Sequence, residues 1–417
     1  MRFIYTIIYY LATPFILLRL LWRSRHTKDY RKRWNERFGF ITPVAQKSIW
    51  VHAVSVGETL AALPLIKALI ARYSPEFTII VTTATPTASA LVTERLKTQV
   101  IHTYAPFDTP TAVTRFLKRA QVTLCIIMET ELWPNLLMIC KKQKIKMMLA
   151  NARLSEKSFL RYLRIKKLMR LMLTAYDVVA AQGVLDGERF LQLGLDPKKL
   201  MITGNIKFDL HIPDAIVAKG KALRAEIGET TPVLIAASTH DGEESLILDA
   251  FQKMREKIPN LFLILVPRHP SRAPKVAELC HRKNYSLQLR SQQKPIEKNS
   301  AILLVDTIGE LTMIYAASDI AFVGGSLVPV GGHNVIEPAT LGIPIITGPH
   351  LQNFTEIAQL LQHAGALQIV ADENQLSDTV TALFISTDLR EKIGESAKKA
   401  IAENRGALEK HLSQINV

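Results

Sequence analysis

The chain has 417 residues, 48% of them hydrophobic and 21% charged; this excludes a disordered chain and exceeds what one hydrophobic core usually supports, so two domains are expected. Its net charge of +15 suits nucleic acid, an anionic membrane or a phosphorylated substrate, and only the location of the charge can choose among them. Three cysteines, Cys125, Cys140 and Cys280, are odd in number and lack paired spacing, which argues against a structural zinc site and for reduced core thiols.

The first element is apolar. Phe3 to Leu18 carries no charge, and Leu20 to Trp22 extend it past Arg19, giving roughly the 20 residues a bilayer crossing needs. A secretory signal would place its positive charges mainly before the apolar run. Here they follow: Arg19 to Arg37 holds eight Lys/Arg against Asp29 and Glu36. The positive-inside rule then puts the rest of the chain in the cytoplasm, behind a single N-terminal anchor. A second basic stretch, Lys141 to Arg170, has eleven Lys/Arg against Glu156. Pro14 and Arg19 interrupt the apolar run, which leaves open whether it crosses the membrane or lies in its inner leaflet.

From Ser48 onward, short apolar runs alternate with amphipathic stretches, the pattern of βαβ units on parallel sheets. Strands are predicted at Ile49–Val54, Thr78–Thr82, Val100–Thr103, Leu124–Met128, Lys146–Ala150 and Val178–Ala181. The polar segment Asp209 to Asp214 interrupts the alternation. Further strands are then predicted at Val233–Ala237, Phe262–Val266, Ile302–Val305, Ile320–Val323, Pro344–Ile346 and Leu367–Val370. The fold class is therefore α/β, two Rossmann-like domains whose ligands sit at the carboxyl ends of strands facing a central cleft.

Neither a phosphate-loop motif nor G-x-G-x-x-G after the first strand is present, which weighs against kinase and dinucleotide chemistry. In the second half, Gly324-Gly325-Ser326 and Gly331-Gly332-His333-Asn334 follow a strand and lead into a helix with Glu337. Glycines admit a phosphate to backbone amides, a helix N-terminus favours an anion, and Glu337 could accept from ribose hydroxyls; two ordinary turns are the alternative. Pro267-Arg268 closes another strand, where a guanidinium could meet a phosphate. Ile308-Gly309-Glu310 forms a third loop. In the first half, Ser55 and Glu58 have capping-box spacing, but a carboxylate there could equally deprotonate a hydroxyl. Glu129 and Glu131 end the fourth strand, and Lys207 brings positive charge near the domain junction. A non-enzymatic basic membrane module would account for the charge but not for three converging loops.

The strings WVHAVSVGET, METELWPNLL, ANARLS, TGNIKFD, VPRHP and FVGGSLVPVGGHNVIEPA, in this order behind an apolar N-terminus, resemble the bacterial lipid A 3-deoxy-D-manno-octulosonic-acid (Kdo) transferases. The resemblance implies a GT-B fold and transfer of Kdo from CMP-Kdo to a lipid A precursor (lipid IVA), at the cytoplasmic face of the inner membrane. It implies Glu58 as general base, Glu129 and Lys207 as transition-state stabilisers, and Pro267, Arg268, Ile308, Gly309, Glu310, Asn334, Val335, Ile336 and Glu337 as the CMP site. No metal or other cofactor is expected, and the partners are CMP-Kdo, the lipid acceptor and inner-membrane lipids, without nucleic acid. On this basis residues 1–22 are the anchor, 23–208 the acceptor domain, 209–395 the CMP-sugar domain, and 396–417 a C-terminal helix returning to the first domain.

Overall fold

A computed structural model of the chain describes residues 2–25, 27–297 and 300–416. The chain forms two units, the first running to Asp209 and taking up the chain again from Arg405, the second spanning Leu210–Asn404.

In the first unit, seven strands, β1 (Ser48–His52), β2 (Thr78–Thr83), β3 (Ile101–Tyr104), β4 (Val122–Met128), β5 (Lys146–Ala152), β6 (Val178–Ala181) and β7 (Leu200–Ile202), pair in parallel in the order β3-β2-β1-β4-β5-β6-β7. Helices cover both faces, so the strands are mostly apolar and successive residues enter different cores. Along β4, Cys125 and Ile127 join Trp50, Met147 and Leu149 on one face, while Leu124, Ile126 and Met128 join Val51 and Met148 on the other. Each such side chain contributes about 1.5–3 kcal/mol on burial.

The second unit repeats the plan with β8 (Val233–Thr239), β9 (Phe262–Pro267), β10 (Leu287–Leu289), β11 (Ile302–Leu304), β12 (Ile320–Val323), β13 (Ile345–Thr347) and β14 (Leu367–Ile369), in the order β10-β11-β9-β8-β12-β13-β14. The strand order reverses between β1 and β4 in one sheet and between β8 and β12 in the other. At such a reversal the connecting helices leave on opposite faces, and the carboxyl ends of the two strands open a crevice.

Two strands, β7 and β10, are absent from the sequence prediction. Both have three residues and lie at a sheet edge, where half-polar strings such as Leu287-Gln288-Leu289 show no apolar run. The returning segment also begins later than residue 396. Thr387–Glu403 is one continuous helix that belongs to the second unit. It is held there by Gly394, where a β-carbon would come within 2.1 Å of the Gly342 carbonyl oxygen. Only the short helix Ala407–Ser413 rejoins the first unit, its N-terminal amides at Gly406 and Leu408 donating to the Asp209 carboxylate, each at 2.6 Å.

Arg2–Arg23 is a single helix of 22 residues with Pro14 inside it, long and apolar enough to cross a membrane. Phe3, Ile4, Ile8, Leu11, Phe15, Leu18 and Trp22 are exposed. Polar side chains attach it to the first unit: Arg2 and Thr6 donate to the Asn135 amide oxygen at 3.0 and 2.9 Å, and the Tyr10 hydroxyl pairs with Thr111 at 3.0 Å.

Candidate functional site

The carboxyl ends of β1 and β4, on either side of the first sheet's reversal, carry three acidic residues. Ser55 caps the helix Val56–Tyr73 in a variant of the capping box: the Glu58 amide donates to Ser55 Oγ at 3.2 Å, while the Glu58 carboxylate accepts from Ser55 Oγ at 2.7 Å and from the amide of Val54, one residue before the cap, at 2.9 Å. The structural reading of that spacing is therefore realised. It does not exhaust the residue, because Glu58 is buried and its pKa is pushed up to about 7. Burial is the main cause and the negative charge of Glu131 the next, only partly offset by the bonds from Ser55 and Val54. A base is most effective when its pKa lies near the working pH, and burial brings this carboxyl close to neutrality.

Glu129 follows β4 in a left-handed backbone conformation, φ +54°, which costs a non-glycine residue about 1–2 kcal/mol. Its amide still continues the sheet ladder to the Ala150 carbonyl at 2.9 Å, so the strain re-aims the side chain without breaking the pairing. The half-buried carboxylate meets Lys207 Nζ at 3.5 Å. Glu131, which sequence reasoning noted but gave no role, accepts from the Trp133 indole at 2.7 Å; burial chiefly raises its pKa, and Glu129 adds to the rise.

Lys207 sits on the short turn Ile206–Asp209, which buried Asn151 holds by accepting the Ile206 amide at 3.0 Å. The Asn151 amide in turn donates to His411 Nε2 at 2.9 Å. An Nε2 that accepts must leave its proton on Nδ1, which donates to the Ala407 carbonyl at 2.6 Å. The returning C-terminal helix thus supports the turn that carries Lys207. Sequence reasoning missed this support, since 260 residues separate Asn151 from His411.

In the second unit the nucleotide-loop residues lie along the carboxyl ends of β9, β11 and β12. Arg268, exposed after β9, makes no hydrogen bond or ion pair through its guanidinium among the described residues, while its amide donates to the Thr239 carbonyl at 3.0 Å. Ile308 is exposed, Gly309 has φ +88°, and Glu310 pairs with Arg290 at 3.0 Å. Glu337 accepts from Asn334 Nδ2 at 3.0 Å and Thr312 Oγ1 at 2.6 Å. Pro267, Val335 and Ile336 are buried, and the Ile336 amide is taken by Asn334 Oδ1 at 3.1 Å.

The glycine pairs donate within the chain. The amides of Gly325, Ser326 and Leu327 all donate to the buried Glu243 carboxylate at 2.7–2.9 Å, and those of Gly331 and Gly332 donate to the Gly325 carbonyl at 3.0 and 2.7 Å. A carboxylate of the chain itself occupies this nest, so of the two readings the sequence allowed, the turns are the one realised. These glycines serve turn geometry and close packing, and Gly324 has no room for a β-carbon, which would sit 2.9 Å from the Ser238 oxygen. The helix that follows, Ile336–Leu341, has six residues, too few for a strong dipole.

Two histidines pair beside this turn. The His240 and His333 rings lie in parallel planes, 5.0 Å apart between centroids, and face each other through Nε2 atoms 2.8 Å apart. Burial, and then the neighbouring positive groups, push His333 down to about 4, so at neutral pH one uncharged ring donates to the other. Among the described residues, no three His, Cys, Asp or Glu converge in a way that could hold a metal ion.

Comparison with known proteins agrees with this division. Residues 32–210 match the family model described as 3-deoxy-D-manno-octulosonic-acid transferase (kdotransferase), and residues 235–400 match glycosyl transferases group 1. The chain is 41% identical to the 3-deoxy-D-manno-octulosonic acid transferase of Haemophilus influenzae, over 99% of this chain and 98% of that one. It is 34% identical to that of Bordetella pertussis, over 95% of each. Among solved structures, UDP-GlcNAc 2-epimerase from Neisseria meningitidis superposes with a TM-score of 0.59, covering 88% of this chain and 99% of that one, at 14% identity. That likeness shows the fold alone, a GT-B pair of α/β units.

Proposed function

The chain belongs to the 3-deoxy-D-manno-octulosonic-acid (Kdo) transferase family and is a glycosyltransferase; from that premise we propose that it moves Kdo from CMP-Kdo to a hydroxyl of a lipid A precursor such as lipid IVA, with Glu58 as base. The observation that carries this reading is the buried Glu58 carboxyl with its pKa near 7, close to Glu131 and the Glu129–Lys207 pair near the carboxyl ends of β1 and β4. In the reaction, Glu58 takes the proton of the acceptor hydroxyl as its oxygen attacks the anomeric carbon of Kdo. Lys207, held by Glu129 and by the Asn151 turn, meets negative charge in the transition state. CMP departs as a monophosphate whose charge Arg268, unpartnered among the described residues, can receive, with Glu337 able to accept from ribose hydroxyls, so this scheme uses no metal.

The acceptor is a lipid, and two features support a membrane location. One is the helix Arg2–Arg23, whose apolar face is exposed and whose polar contacts to Asn135 and Thr111 lie in its first half. These contacts support a reading in which the docked helix lies along the cytoplasmic face of the inner membrane rather than crossing it. The other is the basic pair of helices Glu156–Leu163 and Lys166–Leu173, with Leu160, Ile165 and Leu171 exposed among Arg161, Arg164, Lys167 and Arg170. This face suits a phosphorylated, acylated acceptor.

Mass spectrometry of products formed from CMP-Kdo and lipid IVA, with and without a chelator, tests the reading. The expected product is the acceptor enlarged by Kdo, formed equally with chelator present. No mass gain, or a gain abolished by chelation, contradicts the reading or its metal-free scheme respectively.

A further inference from the structure

A cavity of about 670 Å³ opens in the second unit, with Arg290, Lys294, Thr307, Ile308 and Glu310 among its lining residues. Its size falls in the range of small-molecule sites. One edge is the turn from Asp306 to Glu310, just beyond the carboxyl end of β11, where sheets of this kind receive ligands. Ile308, at the tip, is 80% exposed, an apolar side chain without a protein partner for its outer face. Gly309 has φ +88°, and a β-carbon there would meet no atom within 4 Å. Packing therefore does not require this glycine, and the space above it is open.

The turn is held at both ends by neighbouring residues beyond β10. Arg290 grips the Glu310 carboxylate through Nε at 3.3 Å and Nη2 at 3.0 Å, and Thr307 Oγ1 also donates to that carboxylate. Ser291 grips Asp306, donating through its amide at 2.8 Å and its hydroxyl at 2.6 Å. Burial favours the neutral form of Glu310, but the bonds from Arg290 and Thr307 outweigh it and leave the carboxyl below its ordinary range. The Arg290 charge is thereby spent inside the protein, so this wall of the cavity suits an uncharged ring better than a phosphate. The phosphate has its own candidate partner: β9 is the neighbour of β11, and exposed Arg268 follows β9 at the same end of the sheet.

We infer that Arg290 is a positioning residue for the donor: with Ser291 it clamps the Asp306–Glu310 turn so that Ile308 and Gly309 present an open apolar face to the pyrimidine ring of a CMP-sugar. This inference rests on the CMP-Kdo reading above. It predicts that Arg290 acts on donor affinity and leaves the chemical step alone, because it faces Glu310 and not the reacting atoms.

The test is calorimetric titration of CMP into the full-length chain in detergent, beside steady-state kinetics in CMP-Kdo. Arg290→Ala is expected to weaken CMP binding about tenfold or more and to raise the donor KM in parallel, with kcat at saturating donor within about twofold of wild type. Arg290→Lys is expected to recover only part of the loss, since an ammonium cannot reproduce a two-nitrogen grip. Unchanged CMP affinity in Arg290→Ala, or a fall in kcat with KM intact, overturns the inference. Should Arg290→Ala lose its fold by circular dichroism, Arg290→Lys and Ser291→Ala carry the same comparison, and wild-type affinity in both overturns it. Absence of CMP binding to the wild-type chain is a separate result, which sinks the donor reading itself.

Discussion

Replacing Glu58 by Gln separates a catalytic carboxylate from a structural cap. The Glu58 carboxyl is raised from 4.5 to about 7, so the folded state binds its proton about 3 kcal/mol more tightly than the unfolded state does, at 1.36 kcal/mol per pH unit. The folded chain therefore carries more protons between those values, and the stability that proton uptake supplies is full below pH 4.5 and lost as pH rises to about 7. Above that, ionised Glu58 is a standing cost. Gln cannot ionise; its one oxygen can accept from the Val54 amide and its NH2 can donate to Ser55 Oγ where the second carboxylate oxygen now accepts, so it removes the cost and keeps most of the cap. Glu58→Gln is expected to be about 2–3 kcal/mol more stable than wild type at pH 8, to lose that advantage towards pH 5, and to transfer Kdo about 10²–10⁴-fold more slowly. Urea denaturation followed by tryptophan fluorescence suits the measurement, because Trp22, Trp34, Trp50 and Trp133 all lie in the first unit. Taking the difference between variant and wild type cancels other titrating groups, among them His52, which burial depresses to about 3. A variant that is less stable than wild type at pH 8 and keeps its activity would refute the argument and leave Glu58 as a cap.

Two further substitutions test neighbouring claims. Lys207→Met removes the cation 3.5 Å from Glu129 and is expected to lower kcat about 10–100-fold without changing CMP affinity; an unchanged kcat would show that Lys207 is only a solvated lysine. Glu243→Gln removes a buried charge that three loop amides share and should cost about 2–4 kcal/mol. Calorimetric melting of the full chain reads that loss, and an unchanged transition would show that the glycine turns do not depend on the carboxylate.

Periodicity was informative along the central, mostly apolar strands such as β4 and β9 and also at the edge strands β3 and β14, and silent at the other two edges, where β7 and β10 have three residues each. The acidic candidates were legible because each lies within a few residues of a strand's carboxyl end, and Glu129 and Lys207 do meet. What no local pattern could show is long-range partnership. The Gly324-Gly325-Ser326 turn looks like a phosphate nest until Glu243, about eighty residues earlier, is seen to fill it. Arg290 is an unremarked basic residue until folding sets it against Glu310, and His411 is one imidazole in a terminal helix until it reaches Asn151. The pKa of Glu58 is also beyond the sequence, since burial and Glu131 raise it and both depend on tertiary packing.

The central claim is that a buried Glu58 titrates near neutrality and acts in its ionised form. Difference infrared spectroscopy of the carboxyl stretch, wild type against Glu58→Gln, measures that titration directly, and the pH profile of kcat/KM for transfer gives its functional counterpart. The account predicts one carboxyl absent from the variant that ionises at about pH 7, with the rising limb of the rate at the same pH. A Glu58 that ionises near its ordinary 4.5, or a rate that stays flat from pH 5.5 to 8, would contradict it.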